Sequence, residues 1–314
     1  MTRITIVILL CVLIVLLAPW VGSTARIDLT DFIFWQLRAP RVLTGVAVGA
    51  TLGITGAAFQ ALFGNPLATP STTGTTAGAS LGALTALILI PRDSWLQDLG
   101  VSFFAFVGAI VVSILIVVFA TRRNMQMADI LLVGIALTLA SGALTTGLQF
   151  QADIAATYRA VQWSLGSLAQ VGYEATFSLF PLCAISCIGI LWQTKALETM
   201  IFGEEHAFTQ GVNIRYVRTM VLFFGGLGVA VTVAWCGPIA FIGLVVPHIV
   251  RMIFNNTRRI LFPMSALMGA SFLVLCDAVA RVLLDGVELP VGVLTALIGA
   301  PVLVLLVLNR RSVR

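Results

Sequence analysis

Apolar runs long enough to cross a lipid bilayer follow one another along almost the whole chain, separated by short polar breaks. They cover roughly 4–22, 42–62, 73–91, 101–120, 128–148, 174–194, 219–236, 240–254, 261–283 and 290–308, the eighth being short. A helix needs about 20 apolar residues to span the hydrocarbon core. No stretch between the runs has the length of a soluble domain. Only 10% of residues are charged and 59% are hydrophobic, whereas a soluble domain is about 25% charged. A soluble fold of 314 residues could not hide that much apolar surface. The expected fold is therefore all-α: a polytopic membrane protein of about ten transmembrane helices, forming one transmembrane domain over residues 1–314. The run from Ile4 to Trp20 exceeds the usual 7–15-residue signal core and is read as an uncleaved first span.

Orientation follows from the basic residues, which favour the cytoplasmic side. With the N-terminus inside, Arg3, Arg122, Arg123, Lys195, Arg215, Arg218, Arg251, Arg258, Arg259, Arg310, Arg311 and Arg314 are cytoplasmic. Arg26, Arg38, Arg41, Arg92, Arg159 and Arg281 are then outside. Twelve against six places both termini in the cytoplasm. Three of the outer arginines fall in the first outer loop and need a separate reason to be there.

Enzyme chemistry finds little to work with. His206 and His248 are far apart, and no H-E-x-x-H, G-x-S-x-G or phosphate loop is present. Lys195, the single lysine, lacks the glycine pattern of a Walker A loop, so any ATP hydrolysis belongs to another subunit. The five cysteines sit in apolar runs without C-x-x-C spacing and read as packing residues. No metal site or cofactor is expected. The net charge of +5 reflects arginines anchoring loops, not nucleic-acid binding.

Two segments break the helical pattern. Phe241 to Arg251 is a short apolar run ending in Pro247-His248 and then Arg251, and Gly64-Asn65-Pro66-Leu67-Ala68-Thr69-Pro70 cuts between two glycine-rich spans. Paired, Pro-interrupted segments in a membrane protein point to a transport path. Gly45, Gly49 and Gly53, and again Gly74, Gly78 and Gly82, repeat at four-residue spacing. That spacing suits close helix packing and also smooth faces that line a path. The polar stretch 195–218 carries Gly203 and Gly211, between which Glu204 to Gln210 has the length of about two helical turns. It is either a docking helix or an ordinary solvated loop. Asp277 and Arg281, four apart, can pair on one helix face and neutralise each other at the outer interface. Alternatively, Arg281 faces outward to an acidic partner.

Taken in order, several strings resemble one family: the permease subunits of binding-protein-dependent ABC importers for iron–siderophores, haem and vitamin B12. Arg38-Ala39-Pro40-Arg41 resembles the R-x-P-R before the second span, and Gly56, Gln60 and Asn65-Pro66-Leu67-Ala68-x-Pro70 follow at the family spacing. Trp163 with Leu165-Gly166-Ser167, Gly203-Glu204 with Ala207 and Gly211, Gly237-Pro238-Ile239-x-Phe241, and Pro247-His248 with Arg251 continue the pattern. Asp277, Arg281, Glu288-Leu289-Pro290-Val291-Gly292 and Gly299-Ala300-Pro301 close it. The stretch from Thr69 to Thr76 is more polar than the family pattern.

The resemblance implies a twenty-helix core made with a second permease, identical or homologous, in the bacterial inner membrane. Two cytoplasmic ABC ATPase subunits would dock at a coupling helix containing Gly203, Glu204, Glu205, Ala207 and Gly211. A periplasmic or lipid-anchored substrate-binding protein would meet Arg38, Arg41 and Arg281, which would explain why these outer arginines run against the charge bias. The implied cargo is an iron(III)–siderophore complex, with haem and cobalamin as alternatives. An ion-coupled secondary transporter is the rival from another class, but only Asp277 offers it a buried acid. The fifth span is expected to line the path with Thr138, Ser141, Ala143, Thr145 and Thr146, and a cytoplasmic gate is expected near Asn124 to Met127.

Overall fold

The computed structural model describes residues 2–22, 32–91, 96, 99–122, 125–169, 172–200, 203–254, 258–284 and 288–310. Each apolar run folds as a helix: α1 (Thr2–Leu17), α2 (Ala39–Leu62), α3 (Thr75–Leu89), α4 (Gly100–Ala120), α5 (Met127–Gln151), α7 (Tyr173–Trp192), α10 (Ile214–Cys236), α11 (Ile242–Phe254), α12 (Arg258–Ala280) and α13 (Val291–Arg310). Seven of these, α1, α2, α4, α5, α7, α10 and α12, are long and apolar enough to cross a membrane, while α3, α11 and α13 are shorter apolar helices. Three further helices, α6 (Ile154–Ser164), α8 (Thr194–Met200) and α9 (Glu204–Thr209), lie between them.

Helix α6 escapes a hydropathy reading because it is too short and too mixed to span. It forms because Asp153 caps its N-terminus, its carboxylate accepting the Ala156 N–H. Such a cap satisfies a donor that the helix itself cannot. Ala156 and Ala160 then bury one small-residue face toward α3.

Helix α2 runs through the centre, packed against α12, α7, α11 and α10. Its glycines explain how. A Cβ on Gly49 or Gly53 would collide with the backbone of Gly269 or Ser265 on α12. Gly78 and Gly82 of α3 approach Gly108 and Phe104 of α4 in the same way. Both four-residue glycine repeats therefore make backbone-close helix contacts, where dispersion rather than hydrophobic exclusion holds membrane helices together. Two of the expected spans start late. α3 begins after Gly74, whose φ of +80° turns the chain in a way β-carbon residues resist. α11 begins only at Ile242, after a non-helical stretch.

Candidate functional site

The two broken segments come together. After α2, Gly64 takes φ +57°, and the Asn65 side chain accepts the Leu67 N–H at 2.9 Å, a local turn typical of Asn. Pro66 sits within this turn. Pro70 then opens a one-turn 3-10 helix capped by Thr69 and Thr72. On the other side, α10 ends at Gly237 (φ +68°), and Phe241 takes φ +68° before α11 starts. Such a φ is uncommon for a bulky residue. Gly56 of α2 lies against the Gly243 backbone, with Pro70 beside it.

Pro247, buried inside α11, has no N–H, so it cannot bond the carbonyl four residues earlier, which is that of Gly243. Gln60 supplies the missing donor: its amide donates to Gly243 O at 3.2 Å and to Leu244 O at 3.3 Å. Arg251 completes the bridge by donating to Gln60 Oε1 at 2.6 Å. His248 is half-buried next to Pro247. A proline break, a glutamine one helix away and an arginine one turn on thus form a single unit joining α2 to α11. Between the segments lies a cavity of about 410 Å³, lined by Leu52, Thr69, Pro70, Thr76, Phe241 and Leu244 among others. It is apolar with a few hydroxyls.

At the end of the bundle where α2 begins, four charged side chains close on each other. Arg41 donates through Nε to Asp277 Oδ1 at 2.8 Å and through Nη1 to Glu288 Oε2 at 2.6 Å. Arg281 meets the same aspartate at 3.3 Å and donates to Ala18 O at 3.1 Å, while Arg38 donates to Pro19 O at 3.3 Å. Arg38, Arg41 and Arg281 are only 7%, 8% and 3% exposed. This corrects the expectation that the three arginines stand open for a partner. An arginine in an apolar bundle needs a carboxylate, and Asp277 serves two of them. The cluster ties the turn after α1 and the starts of α2 and α13 to the end of α12. Nearby, three distant sequence motifs interlock: Ser167 N–H donates to Cys236 O at 2.8 Å, Gly292 N–H donates to Gly166 O at 3.2 Å, and Gly237 abuts Trp163.

At the opposite end, α9 stands between Gly203 (φ +110°) and Gly211 (φ +80°), as the glycine spacing suggested. Ala207, however, is fully buried against its own chain. It therefore cannot be the contact expected of it, because a six-residue helix beside a bundle must turn one face inward. Glu205 and Phe208 point outward, Phe208 being 73% exposed. Glu204 is engaged by Arg218 at 2.9 Å. Arg218 also donates to Met125 O at 2.8 Å, and Arg215 to Thr121 O at 2.6 Å. Sequence reading passed over both arginines as loop anchors. Their signal was position: cations near a helix N-terminus oppose the helix dipole and need a compensating partner.

Helix α5 presents a different face from the one expected. Ser141 is buried, Thr138 donates to Gly134 O at 2.8 Å, and the Thr145 hydroxyl is buried without a partner. All three lie on the side that packs on α3 and the 3-10 turn at Pro70. The exposed face carries Ala136, Ala140, Ala143, Thr146 and Gly147 with Leu132, Leu139 and Phe150. The hydroxyl residues of α5 therefore split between the two faces, and sequence alone did not set the rotation. Met127 starts the helix, and Asn124 lies outside the described residues.

The model of the FecCD transport family matches residues 2–309. The vitamin B12 import system permease protein BtuC of Vibrio cholerae is 36% identical over 306 residues, covering 96% of this chain and 91% of that protein. Its namesake from Escherichia coli O9:H4 is 35% identical over 284 residues, covering 90% and 85%. Among solved structures, a metal-chelate type ABC transporter in an inward-facing conformation is similar with a TM-score of 0.85 at 30% identity, covering 96% of this chain and 98% of that one.

Proposed function

The chain belongs to the FecCD transport family, a multi-pass protein of the bacterial inner membrane, and from that premise we propose that it is the permease subunit of an ATP-driven importer of a bulky metal chelate. The observation that carries this reading is the family match over nearly the whole chain, together with the broken-helix core joined by Gln60. A corrinoid is the first cargo, supported by the names of the relatives. A ferric siderophore is the second, supported by the metal-chelate character of the solved relative.

In this reading α3, α11 and α13 cross the membrane with the seven long helices, making ten spans with both termini inside. Two cytoplasmic ATPases dock below at α9 through its outward side chains, Glu205 and Phe208. A second permease, identical or homologous, faces the exposed side of α5, so that the path runs between the two and the gate lies near Met127. A periplasmic or lipid-anchored binding protein delivers cargo at the end bearing Arg41. A contact through Arg41 or Arg281 requires Glu288 to give way first.

The test is uptake into proteoliposomes containing the permease, its ATPase and its binding protein, with radiolabelled cobalamin in one arm and a radiolabelled ferric hydroxamate in the other. ATP-dependent accumulation in one arm, unaffected by collapsing ion gradients, is the expected result. Accumulation driven by an ion gradient without ATP would replace this reading with a secondary transporter.

A further inference from the structure

We propose that Arg218 is the positioning residue that ties α9 to the foot of α5. Its side chain is 9% exposed and spans two elements that are far apart in sequence. Nη2 holds the Glu204 carboxylate of α9 at 2.9 Å, and Nη1 holds the Met125 carbonyl just before α5 at 2.8 Å. One planar guanidinium thus fixes the distance between a surface helix and the turn that begins a bundle helix. Lysine cannot do this, because a single ammonium on a flexible stem lacks the fork.

A second observation is that this link leaves one of its donors unused. The Nε–H of Arg218 is buried without a hydrogen-bond partner, and an unmade buried donor is costly. A group in this position gains by any rearrangement that offers it an acceptor. The neighbouring Arg215 holds Thr121 O, so the first turns of α10 hold one carbonyl just after α4 and one just before α5. A push on α9 therefore reaches Glu204, then the guanidinium, then the start of α5, without needing to deform the core.

This inference rests on the reading that α9 receives the ATPase. It is tested in the permease reconstituted in nanodiscs with its ATPase subunits, using Arg218→Lys and the conservative Glu204→Gln. Met125→Cys provides a probe for a water-soluble maleimide. In the parent protein, thiol labelling at position 125 should change several-fold between the nucleotide-free state and the ATP–vanadate state. Both variants should lose that change, and the double variant should be no worse than either single one. If Arg218→Lys fails to assemble, Glu204→Gln, which alters only a half-exposed carboxylate, decides the matter. Parent-like labelling in Glu204→Gln would overturn the linkage. A parent complex that neither hydrolyses ATP nor changes its labelling would instead count against the importer reading itself.

Discussion

The two ends of the bundle use arginine in opposite ways. Where α2 begins, Arg41 and Arg281 share the buried Asp277, Glu288 adds a half-exposed carboxylate, and Arg281 Nη1 is left buried without a partner. Where α9 sits, Arg218 has one half-exposed carboxylate and otherwise grips backbone carbonyl oxygen. A buried acid shared by two buried cations resists displacement, because each cation moved away from it would be an unpaired buried charge. A cation held by a carbonyl and a surface acid can exchange partners at small cost. The first is suited to fixing helix ends and the second to transmitting a movement.

The largest effect should come from removing the shared buried acid. Asp277→Ala leaves two buried guanidinium groups without their shared acid. Breaking a buried pair in this way costs about 3–5 kcal/mol, so folded yield and melting temperature in detergent should drop sharply. Glu204→Ala removes the acid at the other end and should cost less than about 1 kcal/mol, as exposed pairs do. Equal losses from the two would erase the distinction between the ends.

A smaller effect is expected at the joint between α2 and α11. Gln60→Leu keeps the volume but leaves Gly243 O without the donor that Pro247 cannot supply. An unsatisfied buried polar group costs about 1–3 kcal/mol, visible as a lower melting temperature. Gln60→Glu should be harmed as well, since it keeps the Arg251 contact but loses the N–H donors. Full stability in Gln60→Leu would mean that the bridge does not join the two helices.

Much of this architecture is legible in the sequence, for a physical reason. Hydropathy is a property of whole segments, so the runs behind all ten apolar helices could be read directly. Gly203 and Gly211 marked the ends of α9 because left-handed backbone favours glycine. Side-chain direction was less accessible. Ala207 and Ser141 were assigned outward, yet a helix rotated by half a turn has the same composition, and only its neighbours set the rotation. Arg38, Arg41 and Arg281 were assigned to docking by the family resemblance and by their place on the outer side, with the Asp277–Arg281 pair as the alternative. The partnership of Arg41 depends on Asp277, 236 residues away, a separation no local pattern reveals.

The rotation of α5 can be sharpened by cysteine scanning. Cysteines at Ala136, Ala143 and Thr146 should react with a water-soluble thiol reagent in the assembled importer, while those at Ser141 and Thr145 stay protected. The reverse pattern would restore the hydroxyl face as the path wall. The smallest effect belongs to Glu288, whose side chain is 52% exposed. Glu288→Gln should change stability by less than about 1 kcal/mol. It should also speed association of the binding protein at low salt, because Arg41 is released from its resident acid. An unchanged association rate would assign Arg41 to helix anchoring alone.

Hydrogen exchange on the permease–ATPase complex, nucleotide-free against ATP–vanadate and without binding protein, tests the contrast between the two ends most directly. Peptides covering 125–130 and 203–218 should change their exchange between the two states, whereas those covering 39–45 and 273–281 should not. Equal changes at both ends, or changes confined to the Asp277 end, would contradict it.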